Sequence, residues 1–162
     1  MRRWDQRPFE IRNLFNPAFC ALILLRSISG YEEDNSDGLP FSLSLLILPL
    51  CLHRETRESL PKTSRGYLLK AIELNPHLSI GFAERVTALL PYTLEALGLA
   101  MHLRCFTVTD RGHLTLDPKG IKKAISGTDE SVECQRAARL VGKAFAAIGD
   151  RVTIYTSLGV RP

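Results

Sequence analysis

Residues 81–120 read GFAERVTALLPYTLEALGLAMHLRCFTVTDRGHLTLDPKG, and the spacing of their apolar residues changes once. Leu90, Leu94, Leu97, Met101 and Leu103 follow a helical period. Phe106, Val108, Leu114 and Leu116 instead alternate with polar residues, as one face of paired strands does. Asp110, Arg111, Gly112 and His113 place a glycine where a hairpin turn needs positive φ. Proline costs least at the first helical position, so the reading ends one helix, residues 79–90, before Pro91 and starts the next there. A helix feeding a hairpin is the second half of a winged helix. The expected fold is therefore α+β and mainly α-helical: a winged-helix core with a β-hairpin wing, flanking N- and C-terminal helices, and a short C-terminal strand.

Working outward from that core, the start of the chain at Arg7, Pro8, Phe9, Glu10 and Ile11 is expected to be extended, because a residue before proline avoids the helical region. Asn16 and Pro17 then form a helix start, and residues 17–29 are apolar almost all round, which places that helix centrally or beneath a partner. Gly30 is its expected stop. The acidic run Glu32, Glu33, Asp34, Asn35, Ser36 and Asp37 reads as a solvated connection. After Leu39, Pro40 and Phe41, the run SLSLLILPLCL at 42–52 reads as a helix kinked at Pro49 that continues through His53 to Glu58. Ser64 is expected to cap a short helix, residues 65–74, that Asn75 and Pro76 end.

Beyond the hairpin, residues 119–125 are expected to form a short basic helix, and residues 126–129 a turn ending in a cap. Val132, Ala137, Val141, Ala144, Phe145 and Ile148 then recur at three- and four-residue steps, marking an amphipathic helix over residues 129–148. Val152, Ile154 and Tyr155 suggest the terminal strand. We treat residues 1–162 as one winged-helix-containing domain: an arm, helix and acidic loop at 1–38, the core at 39–125, and a helix and strand at 126–162.

The chain's 162 residues can bury roughly 70% of their unfolded surface, and 45% hydrophobic with 23% charged residues excludes a disordered or fibrous class. A net charge of +4 permits contact with nucleic acid without requiring it. Cys20, Cys51, Cys105 and Cys134 are far apart and form no CxxC, so they read as reduced thiols. The N-terminus lacks the apolar core of a signal peptide, and the longest apolar runs fall short of the roughly 18–20 residues that cross a bilayer. A cytoplasmic protein without membrane association is expected.

No constellation for chemistry emerges. Gly142-Lys143-Ala144 lacks the hydroxyl and the upstream glycine of a phosphate-binding loop. His53, His77, His102 and His113 have no metal-ligand spacing with one another or with cysteine, and no serine has a nucleophile's context. The expectation is a non-enzyme with no cofactor, no metal and no small-molecule substrate. The helix that would enter a DNA groove, residues 92–103, offers Thr93, Glu95, Gly98 and His102 and no Arg or Lys before Arg104, so base readout is not expected. Arg111, Lys119, Lys122 and Lys123, with Arg136, Arg139 and Lys143 on the next helix, are the candidates for phosphate contact, against the alternative of a solvated basic face.

The segments Arg7-Pro8-Phe9-Glu10, Asn13-Leu14-Phe15-Asn16-Pro17-Ala18-Phe19-Cys20, Leu39-Pro40-Phe41-Ser42-Leu43 with Leu48-Pro49, and the terminal Tyr155-Thr156-Ser157-Leu158-Gly159-Val160-Arg161-Pro162 resemble the middle component of bacterial three-component ABC systems. In operon setting that family is similar to the Lamassu type of antiphage and antiplasmid defence. The resemblance implies a non-catalytic adaptor that binds an SMC-like ATPase subunit and an effector subunit, often a nuclease, with non-specific DNA contact confined to the complex. Under it, Phe9, Phe15, Phe19 and Leu22 are the candidate partner-binding residues. The alternative is a free-standing winged-helix transcriptional regulator.

Overall fold

A computed structural model describes residues 4–63 and 67–161. Its centre is α2 (Pro17–Glu32), which begins as expected: the Asn16 side chain accepts hydrogen bonds from the amides of Ala18 (2.9 Å) and Phe19 (3.4 Å), and Pro17 occupies the first turn. Gly30 does not stop it. A Cβ there would collide with the carbonyl of Arg139 in α8 (Asp129–Ile148), and a Cβ at Gly142 would collide with the carbonyl of Ser27. The two glycines let α2 and α8 cross backbone to backbone, so Gly30 serves packing rather than termination. The apolar residues of α2 face α8, α4 (Ile47–Leu52) and α7 (Phe82–His102). One cluster of buried residues extends from Cys20 to Leu158. The stretch Phe9–Glu32 is long and apolar enough to cross a membrane, and 56% of its most apolar part is buried inside the protein.

The start of the chain is not extended. Trp4–Gln6 forms one turn of 3-10 helix and α1 (Phe9–Leu14) follows Pro8, whose fixed φ suits the residue before a helix. The segment read as one kinked helix is three short helices, α3 (Phe41–Ser44), α4 and α5 (Arg54–Ser59), and the short strand β1 (Leu39–Pro40) precedes them. Pro49 is the third residue of α4, before any residue that must donate along the helix, and the first internal bond comes from Leu50 to Leu46. The His53 ring caps α5 by accepting from the Thr56 amide. The Arg57 guanidinium donates to the last carbonyls of α4, those of Cys51 and Leu52. The expected cap Ser64 and the first residues of its helix lie outside the described residues, and α6 spans Leu68–Leu74.

The helix break expected at Pro91 does not occur, because α7 runs through it. Pro91 removes one bond, to the carbonyl of Thr87, and both residues are exposed, so water can satisfy that carbonyl. The buried residues Phe82 on one side of Pro91 and Thr93, Ala96, Leu97 and Ala100 on the other hold the two halves on one line. The hairpin is as expected, β2 (Phe106–Val108) against β3 (His113–Leu116), with Gly112 at φ +74° in the turn. β1 adds a third strand at the β3 edge, Leu39 opposite Leu114 and Pro40 opposite His113, giving the order β1-β3-β2. An edge position suits Pro40, which has no amide to donate.

Residues 119–125 form no helix. The carbonyls of Lys123 and Ala124 accept from Arg26, and the loop is held by its neighbours rather than by its own backbone. The amphipathic helix α8 matches the expectation and ends at Gly149, φ +72°. The terminal strand is instead a helix, α9 (Arg151–Ser157). Asp150 caps it by accepting from the amides of Val152 (3.3 Å) and Thr153 (2.8 Å), and Ile154, Tyr155 and Leu158 are buried at helical spacing. Nor is the acidic run merely solvated: Glu32 accepts from the Leu116 amide, and Glu33 pairs with Arg139 and Lys143 on α8. All four cysteines are free, and burial pushes the Cys20 thiol up to about 12, as expected of a core hydrophobe.

Candidate docking surfaces

Arg7 ties the start of the chain to the middle of α7. Its guanidinium forms two 2.7 Å hydrogen bonds to the two oxygens of Glu95 and lies 5.5 Å from the centre of the Tyr92 ring. The bonds to Glu95 hold Arg7 above its ordinary value against the opposing effect of burial. Phe15 stacks on Tyr92, ring centres 4.5 Å apart. Part of the surface that a DNA-reading helix would present is therefore covered by the chain's own N-terminal segment. Of the four candidate partner residues, Phe9 is the most open, 65% exposed, with Arg12 over its ring. Phe15 and Phe19 are partly buried against the core. Leu22 lies farther along α2, in a groove.

That groove, about 310 Å³, runs between α2, the end of α7 and the loop after β3. Leu22, Leu25, Leu99, Leu103 and Ile121 are among its apolar lining, and the exposed Lys122 also lines it. Arg26 also lines it, buried at 5% exposure, donating to Gln135 Oε1 (3.2 Å) and to the carbonyls of Lys123 (3.3 Å) and Ala124 (2.8 Å). Gln135 donates in turn to the Ser126 carbonyl (3.0 Å). The loop that forms one wall is thus held from beneath by two buried side chains. Burial, with the charge of Arg139 added, pushes the Arg26 guanidinium down from its ordinary value.

The outer face of α7 is a second apolar surface. Leu90, Leu94 and Met101 are 36%, 47% and 52% exposed, Gly98 lies between them, and no Arg or Lys occurs from Val86 to Leu103. The basic candidates lie on the hairpin tip, the loop after β3 and α8, and Lys123 and Arg139 line one cavity with Glu33. Arg111 shares a depression at the hairpin tip with Asp37 and Asp110. Lys119, Lys122 and Lys123 are exposed on the loop after β3. Arg139 and Lys143 are engaged by Glu33, and Arg136 is exposed. Sequence reasoning missed Arg26 and the Arg7–Glu95 pair. The signal for the first was present: one arginine in a helix otherwise apolar almost all round.

Over residues 4–162 the chain matches the model of a family described as ABC-three component (ABC-3C) system Middle Component 3. No curated protein and no solved structure matches it.

Proposed function

Because the chain belongs to the Middle Component 3 family of ABC-three component systems, we propose that it is a non-catalytic adaptor that bridges an SMC-like ATPase and an effector nuclease in a cytoplasmic, Lamassu-type defence complex. The observation that carries this reading is α7. In a winged helix it would be the DNA-reading element, yet it turns Leu90, Leu94 and Met101 outward and offers no Arg or Lys from Val86 to its end. The connectivity of helix, short strand, helices, long helix and hairpin, with strand order β1-β3-β2, supports the winged-helix assignment. Surface of this kind suits a protein partner, and a stable contact would bury roughly 1,200–2,000 Å².

The test is bridging by omission. With a tag on the ATPase component and all three components co-expressed, the effector should co-purify when this chain is present and be lost when its gene is left out. Retention of the effector without this chain would refute the bridging role. Sequence-selective binding of a promoter fragment by the isolated chain at physiological salt would favour the free-standing regulator instead.

A further inference from the structure

The groove beside α2 is where open apolar surface and an unneutralised buried cation coincide. Arg7 and Arg57 are as buried as Arg26, and each has a carboxylate, Glu95 at 2.7 Å and Glu130 at 3.3 Å. Arg26 has only neutral oxygens as hydrogen-bond partners, and among the described residues no carboxylate comes within 4 Å of it. A buried guanidinium without a counter-charge is costly, and Lys122 in the groove lining adds to the positive field. Leu22, Leu25, Leu99 and Leu103 supply the apolar contact.

We propose that this groove docks an apolar segment of a partner subunit that carries acidic residues, its apolar side chains on the leucines and a carboxylate set against Arg26 and Lys122. The inference rests on the adaptor reading and adds the chemistry of the partner. Charge complementarity selects this occupant. Two copies of the chain meeting groove to groove would oppose identical cations, which argues against a self-dimer. A nucleic acid would set its phosphates against the leucines.

The test uses the full chain co-expressed with the other two components, with a photo-crosslinking residue in place of Leu103 in the groove or, as control, Val152 on α9; both positions are exposed. The position of Leu103 should crosslink to a partner peptide that combines apolar with Asp or Glu residues. Lys122→Glu should weaken assembly on the order of tenfold. Lys122→Arg should not. Five results would overturn the inference: crosslinks from Val152 alone, crosslinks to a second copy, to nucleic acid or to a basic peptide, or wild-type affinity in Lys122→Glu. Absence of any complex with the wild-type chain would instead remove the adaptor reading on which the inference rests.

Discussion

Glu33 shows how far a residue's role can depart from its setting in the sequence. It sits in an acidic run that reads as solvated, yet its oxygens meet Arg139 and Lys143, 106 and 110 positions away. Burial pushes its carboxyl upward, and the hydrogen bonds and charge of the two cations outweigh that, holding it below the ordinary value. Its neighbour Glu32 goes the other way, raised by burial against the opposing Leu116 amide bond. A carboxyl with a depressed folded pKa contributes stability above its unfolded value, about 4.3, and loses that contribution as pH falls through the folded one. Glu33→Gln should therefore lower stability at pH 7 by about 0.5–1 kcal/mol, and the gap from wild type should close between about pH 5 and pH 3. Urea unfolding at both ends of that range checks this. A gap independent of pH would mean that the contact is steric rather than ionic.

At the scale of elements, the crossing of α2 and α8 sets the architecture, and two glycines permit it. Alanine at Gly142 gains about 1 kcal/mol of helix propensity, but its Cβ would meet the Ser27 carbonyl, and overpacking against backbone costs more than that. Gly142→Ala should destabilise by about 2 kcal/mol. Gly98→Ala on the outer face of α7 has open space and should stabilise by about 0.5–1 kcal/mol. Thermal melts of the two variants should move in opposite directions, and the same direction for both would contradict the packing described. The contrast also explains what the sequence could disclose. The start of α2, the hairpin and all of α8 were legible because each is dictated locally, by a cap, a turn glycine or an unbroken period. The end of α2 was not, because Gly30 answers to a helix 109 positions away at Arg139. The C-terminal helix was masked by Val152, Ile154 and Tyr155, which favour strands until the Asp150 cap and the buried Leu158 decide otherwise. The loop after β3 was misread as a helix because Arg26, which takes its carbonyls, lies about 100 positions upstream.

Across the whole molecule, the apolar residues fall into two groups. Those of α2 that suggested a partner are mostly enclosed by the chain's own α7 and α8, so they explain stability rather than assembly. What remains for a partner is smaller and was only partly legible: Leu22 was identified, but its groove needs Leu99, Leu103 and the clamped loop, which no spacing brings together. The outer face of α7 was legible in its lack of cations, and the covering of neighbouring Glu95 and Tyr92 by Arg7 and Phe15 was not. The role proposed for this chain is to be held between larger components. Sedimentation velocity of the purified chain mixed at micromolar concentration with the purified ATPase component tests it most directly. The chain should sediment in the faster boundary of the ATPase, and a slow boundary unchanged from that of the chain alone would contradict the proposed role.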